Sequence, residues 1–115
     1  MDTVNEEISQ LALSYTQLLA IQISLEDYVI KIVLTIDLQL RDNQLLELHF
    51  DGVRKYSFYK TSDYSGYYIV DYNFFMTDNL YYISLDPVDI SDTPSEEDND
   101  FIYAEKVTIR HIKKG

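Results

Sequence analysis

Few side chains of this sequence carry the groups that catalysis usually needs. The chain has no cysteine and only three glycines, so it lacks a thiol nucleophile, a Cys-ligated zinc site and a glycine-rich phosphate loop. The two histidines, His49 and His111, lie on separate predicted strands, and the acids around His49 favour a solvated histidine over a general base. The segment Asp98–Asp100 lacks the glycine and distal glutamate of an EF-hand. We therefore expect no enzyme, and neither a metal nor an organic cofactor.

Carboxylates are the abundant charged groups. The chain has 20 Asp and Glu residues against 9 Lys and Arg, a formal net charge of −11. This balance argues against a basic surface for nucleic acid and against docking on an anionic membrane. Residues 86–100 hold both prolines and no Lys or Arg, and we expect them to form a long loop. Seven acids lie in it: Asp86, Asp89, Asp92, Glu96, Glu97, Asp98 and Asp100.

The spacing of apolar residues predicts one short helix followed by strands. Thr3 and Glu6 form a capping-box pattern and apolar residues then recur at helical spacing, so we expect a helix over residues 3–13. After Tyr15 the period changes to two, which is typical of half-buried antiparallel strands. The sequence predicts a single domain over residues 1–115, mainly β, with about seven strands in an antiparallel meander. The meander forms either a sandwich or a partly open barrel, with one N-terminal helix.

Two turns predict strand pairings. We expect a hairpin with one extra residue at Asp51-Gly52, which would pair Leu48 with Tyr56. Asp78-Asn79 as a two-residue turn joins two alternating strands, the first running from Tyr68 to Met76. Its register puts the apolar residues of both strands on one face, with three pairs in line: Phe74 with Ile83, Met76 with Tyr81, and Tyr72 with Leu85.

The opposite face of this second hairpin carries an unusual combination of residues. The same register places Asp71 opposite Asp86, and like charges across a strand pair are destabilising. It also places Phe75 opposite Tyr82 on what should be the solvent side. Three interpretations follow: the stripe is covered by a neighbouring strand or by the N-terminal helix, a partner supplies Lys or Arg to it, or the two acids act as an acid/base pair.

A resemblance favours the second interpretation. In size, acidity and β-rich layout the chain resembles the immunity proteins of bacterial polymorphic and contact-dependent toxin systems, and the local elements are LELHFDGV, YYISLDP and FIYAEKVTI. The resemblance implies a protein that neutralises a toxin domain and has no catalytic residues. A non-catalytic adaptor or a homo-oligomeric structural subunit is the alternative, and a small carboxylate-based hydrolase is a third.

We therefore expect an acidic module that binds a basic protein, most simply a toxin nuclease domain, and is itself a monomer or weak dimer. It would bind neither nucleic acid nor a membrane directly. The first seven residues include three acids and no Lys or Arg, and no apolar run approaches the about 20 residues of a membrane span, so we expect a cytoplasmic protein. The candidate partner-binding residues are Asp71, Phe75, Tyr82, Asp86, Asp89, Asp92, Glu96, Glu97, Asp98 and Asp100.

Overall fold

The computed structural model describes Ile8 and residues 11–38, 44–58 and 67–113, and these form one seven-stranded antiparallel sheet. The strands are β1 (Thr16–Glu26), β2 (Val29–Asp37), β3 (Gln44–Ser57), β4 (Tyr67–Ile69), β5 (Asn73–Thr77), β6 (Leu80–Asp86) and β7 (Asn99–Lys113). Their order across the sheet is β4-β1-β2-β3-β7-β6-β5, and the sheet curls into a half-barrel. The prediction of a mainly β, antiparallel fold is confirmed, and the half-barrel is closer to the partly open barrel than to the sandwich.

A short connection between the two edge strands requires this curl. β4 and β5 lie at opposite edges of the sheet, yet only residues 70–72 join them. A flat sheet of this order would separate its edge strands by about 29 Å, at about 4.8 Å per strand spacing. Four residue steps span at most about 14 Å. The sheet must therefore bend until its edges approach, and the Tyr67 hydroxyl on β4 donates to the Leu85 carbonyl of β6 across the opening at 3.4 Å.

The concave side of the sheet holds the hydrophobic core. Apolar residues alternate along β2 and the first half of β3, so that one face of each strand is buried and the other is half-buried. The ring of Phe50 on β3 lies 6.0 Å from that of Phe74 on β5 and links the two halves of the sheet. The fully buried aliphatic side chains are Leu13, Leu18, Ile32, Leu34, Ile36, Leu46, Leu48, Ile69, Ile83, Leu85, Ile102 and Ala104.

The predicted N-terminal helix is not supported. Of the described residues in its range only Ile8 is helical, and residues 11–13 precede β1 without regular structure. The amide of Leu11 donates to the carbonyl of Ile8 at 3.2 Å, a single turn-like bond. Residues 3–7 and 9–10 of the predicted helix lie outside the described residues. No helix in the described part of the chain is long and apolar enough to cross a membrane.

The predicted hairpin at Asp51-Gly52 is wrong. β3 runs without interruption through Gly52 and pairs with β7 along its whole length, so Leu48 lies opposite Ile109 instead of Tyr56. Gly52 has φ +64° and a Cβ at this position would lie 2.6 Å from Oε2 of Glu105. Asp51-Gly52 therefore forms a local bend within a strand instead of a hairpin turn. Glycine adopts the positive φ of this bend without strain.

The tip of the β1–β2 hairpin departs from the alternation expected after Tyr15. Its turn residues are Asp27 and Tyr28, both with positive φ. The alternation that predicts burial of Ile23 and Leu25 fails there, since these side chains are 46% and 66% exposed. β4 covers β1 only along Thr16–Leu18, so among the described strands the outer half of β1 has a neighbour on one side only.

The second predicted hairpin is confirmed between its turn and Asn73, but the predicted pair of Tyr72 with Leu85 is absent from the ladder. The turn residues Asp78 and Asn79 both have positive φ, as a two-residue turn of this type requires. Phe74 lies opposite Ile83 and Met76 opposite Tyr81, as expected. The first strand does not extend back to Tyr68, however, because the ladder begins at Asn73 and residues 67–69 form the separate strand β4 at the other edge of the sheet.

We expect the core assignment to show in the free energy of unfolding. Ile83→Ala removes a fully buried side chain and should cost about 2–5 kcal/mol. Ile23→Ala is the matched control, because this isoleucine is 46% exposed, and should cost less than about 1 kcal/mol. Urea denaturation measures both values. Equal losses for the two variants would contradict the assignment of the concave face.

Candidate functional site

The convex face of β5, β6 and β7 carries a cluster of aromatic rings, which we call the aromatic surface (Phe75, Tyr82, Phe101 and Tyr103). Strand register sets one row of it, because Phe75 lies opposite Tyr82 and Tyr82 lies opposite Tyr103. The ring centroids of Tyr82 lie 5.2 Å from Phe75 and 4.7 Å from Tyr103. Tyr82 is 1% exposed although it points away from the core. Another part of the chain must therefore cover this face.

Residues 87–98, which we call the covering loop, provide this cover. Asp98 fastens the loop, and its carboxylate is only 4% exposed. Oδ1 accepts the Val88 amide at 2.9 Å, while Oδ2 accepts the Ser95 amide at 3.0 Å and the hydroxyl of Tyr82. One buried carboxylate thus joins both ends of the loop to the middle of β6.

A second anchor holds the centre of the covering loop to β5. Nδ2 of Asn73 donates to the Asp89 carbonyl at 2.9 Å, and Oδ1 of Asn73 accepts the Ser91 amide at 3.1 Å. Asn73 lies opposite Ser84 in the ladder, and both are buried. The side-chain amide satisfies a donor and an acceptor of loop backbone at once, which is the usual condition for burying a polar group.

Burial and nearby carboxylates alter the acidity of two tyrosines in the cluster. The pKa of Tyr82 is raised far above its usual value, first by burial and then by its hydrogen bond to Asp98 and the charge there. The pKa of Tyr103 is also raised, by burial and by the charges of Asp98 and Asp78. Both hydroxyls therefore stay protonated at neutral pH, and the field around them favours positive charge.

The exposed side of the covering loop is negative. We call the acids there and beside it the acidic surface: Asp71, Asp86, Asp89, Asp92, Glu96 and Glu97. Salt bridges between described residues occur elsewhere, between Lys31 and Asp51, His49 and Glu47, and Arg54 and Glu105, and none includes a member of this group.

Topology keeps positive charge away from this surface. Every Lys and Arg of the described residues lies on the three central strands β2, β3 and β7. The four strands toward the edges, β4, β1, β6 and β5, carry none, and the curl brings these edges together. The segments beneath the covering loop, β5, β6 and residues 99–105 of β7, carry no Lys or Arg, and Lys55 on β3 lies beside them, opposite Tyr103.

The predicted Asp71–Asp86 pair does not form. The β5–β6 ladder begins at Asn73, so Asp71 precedes the strand, and Asp86 lies opposite Asn99 on β7 instead. Asp71 lines a groove with Ile90 and Asp92 of the covering loop. The repulsion expected from the register is avoided because the chain leaves the sheet before the two carboxylates meet.

The other candidate residues divide by exposure. Asp89, Asp92, Glu96 and Glu97 are exposed and Asp86 is half-buried, so all five are accessible to a partner. Asp98 and Asp100 are buried, at 4% and 1% exposure, and cannot be contact residues on this surface. Tyr82 is buried beneath the loop and Phe75 is half-buried, so the expected exposed aromatic stripe is wrong: the chain's own loop covers it.

Sequence reasoning missed three residues of the site: Lys55, Phe101 and Tyr103. With Val107 and Ile109 facing the core, strict alternation would turn residues 101 and 103 inward as well. β7 instead changes the side that faces the core, because Ala104 and Val107 are both buried and the two residues between them are both exposed. This irregularity lies beside the bend of β3 and gives no signal in the sequence of β7 alone.

The described residues offer no group of three or more His, Asp or Glu side chains placed to hold a metal ion. His49 pairs with Glu47 on the same face of β3, with Nε2 and Oε1 2.9 Å apart. The side chains of His49 and Glu47 are 17% and 26% exposed, so the histidine is half-buried beside a carboxylate instead of solvated as expected.

We expect Asp98 to be the residue on which the covering loop depends. In Asp98→Asn, either orientation of the amide places an NH2 against a donor of the loop, so the variant should unfold more easily by about 1–3 kcal/mol. Asp92→Asn removes the same charge from an exposed position and should change stability by less than about 0.5 kcal/mol. Denaturant melts of both variants test this, and a stable Asp98→Asn protein would contradict it.

Comparison of the chain with known protein families, with characterised proteins and with solved structures finds no match.

Proposed function

We propose that this protein binds a basic protein partner through the acidic surface and so blocks the partner's activity. The observation that carries the proposal is a loop whose exposed carboxylates form no salt bridge with any described residue, while the loop itself is fastened to the sheet at both ends and at its centre. The protein would act by binding and would have no catalytic activity of its own.

Charge and preorganisation both favour such binding. Opposite charges steer two proteins together and raise the association rate, an effect that salt screens. A loop that is already ordered loses little conformational freedom on binding, so more of the contact energy appears as affinity. The two anchors of the covering loop, Asp98 and Asn73, thus support fast and tight capture of a basic surface.

The partner we propose is a toxin nuclease domain, with this protein as its cytoplasmic immunity protein. Enzymes that act on nucleic acids present basic surfaces along the substrate path, because they must contact phosphates. An acidic surface of fixed geometry occupies such a path and excludes the substrate. The resemblance to immunity proteins in size, acidity and β-rich layout supports this identification.

A second candidate, a homo-oligomeric subunit or adaptor, has one observation in its favour. Among the described strands, the outer half of β1 has a neighbour on one side only, and its Ile23 and Leu25 are largely exposed. An apolar strand edge of this kind pairs readily with another strand. The edge contains no charged residue before Glu26, so the net charge of −11 does not oppose association there directly.

We expect neutralisation of the acidic surface to slow association with the partner. The test variant changes Asp89, Asp92, Glu96 and Glu97 to the corresponding amides. The control removes the same number of charges elsewhere, at Glu26, Asp27, Asp51 and Glu105. With a basic protein captured by the wild-type chain from its native host, the test variant should associate about tenfold more slowly at low salt and the control less than about twofold. Stopped-flow or biosensor kinetics over a salt series measure these rates.

Three outcomes separate the candidates. Loss of binding in the test variant alone, with inhibition of a nuclease activity of the captured protein, is the proposed result. Equal effects of the test and control variants would show that only net charge matters and would contradict the assignment of this surface. Self-association in sedimentation velocity that Ile23→Lys abolishes, with no basic partner captured, would favour the homo-oligomeric subunit.

A further inference from the structure

The covering loop and the aromatic surface enclose a cleft that opens to solvent. The cleft has a volume of about 340 Å³. Its floor is formed by the rings of Tyr82, Phe101 and Tyr103, and residues 94–96 of the loop form one wall. Glu96 thus belongs both to the acidic surface and to the cleft, whereas Glu97 does not line it. Lys55 on β3 lies at the remaining side.

The cleft already holds a cation from the protein's own chain. Register places Lys55 opposite Tyr103, and Nζ of Lys55 lies 5.7 Å from the centroid of the Phe101 ring. This distance is within the range of cation–π attraction. The lysine side chain is exposed and flexible, so it can leave the ring for solvent at small cost. The aromatic floor is therefore suited to positive charge, and its present occupant is exchangeable.

Nearby carboxylates make the cleft electrically favourable for a stronger cation. Burial, and after it the charges of Asp98 and Asp78, raise the pKa of Tyr103, so two carboxylates lie near enough to this hydroxyl to favour positive charge beside it. Glu96 adds an exposed carboxylate at the wall. A planar guanidinium stacks on aromatic rings and donates to a carboxylate at the same time, whereas an ammonium is more strongly hydrated and does neither as well.

We propose that the cleft receives an arginine side chain of the basic partner, which stacks on the Phe101 and Tyr103 rings, pairs with Glu96 and displaces Lys55. The inference rests on the proposed function, and it adds which side chain of the basic partner the surface recognises. An inserted arginine would be the anchor at the centre of the interface, and the exposed acids around the cleft would steer the approach.

The test uses two probes, the capped peptides hexa-arginine and hexa-lysine, which carry equal charge. We expect hexa-arginine to bind about two- to fivefold more tightly, the size of an exposed cation–π contact. Calorimetry gives the affinities, and NMR should place the hexa-arginine contacts on the Phe101 and Tyr103 rings. Glu96→Gln and Tyr103→Leu should each abolish the preference for arginine, Glu97→Gln should keep it, and Lys55→Met should strengthen hexa-arginine binding.

The outcomes distinguish this inference from the function on which it rests. If both peptides bind equally in a salt-dependent manner and Glu96→Gln weakens them no more than Glu97→Gln, the acidic surface stands and the arginine site is refuted. Ring shifts remote from Phe101 and Tyr103 would refute it equally. If neither peptide binds even at low salt, both the arginine site and the acidic binding surface are contradicted.

Discussion

The hydrogen bonds accepted by Asp98 hold together the surface on which the proposed function depends. Its two oxygens receive the Val88 amide, the Ser95 amide and the Tyr82 hydroxyl, so three donors meet at one buried charge. A carboxylate accepts at every one of these positions, whereas a side-chain amide would place its NH2 against one of the donors. Asp98 thus fixes the loop that presents the exposed acids. Its hydrogen bond from the Ser95 amide also holds residues 94–96, which form one wall of the cleft.

The curl of the sheet separates positive from negative charge. Residues 61–105 contain no Lys or Arg, and they supply β4, β5, β6 and the covering loop. A three-residue connection forces the two edges of the sheet together, and β1, which lies next to β4, also lacks Lys and Arg. Among the described residues, the topology therefore places the strands without Lys or Arg toward the two edges of the sheet and the strands of mixed charge, β2, β3 and β7, at its centre.

Local rules predicted what local geometry decides. The turn at Asp78-Asn79 and the alternation around it gave the correct register for residues 73–84, and the sequence alone also indicated an antiparallel β fold with an acidic loop. Three features depend on long-range pairing and escaped prediction. β3 continues through Gly52 because β7 pairs with it on both sides of this residue. Asp98 is buried because it bonds to Tyr82 beneath the loop. β7 turns Tyr103 outward at its irregularity, which lies opposite the bend of β3 at Gly52.

Amide hydrogen exchange tests most directly whether the covering loop is fastened to the sheet. The Val88 and Ser95 amides donate to Asp98 and the Ser91 amide donates to Asn73, whereas Asp92 lies exposed in the same loop. The Val88, Ser95 and Ser91 amides should exchange at least about tenfold more slowly than the Asp92 amide, after correction for intrinsic rates. Exchange of all four at the rates of an unstructured chain would contradict this fastening, because the acids would then have no fixed arrangement to present.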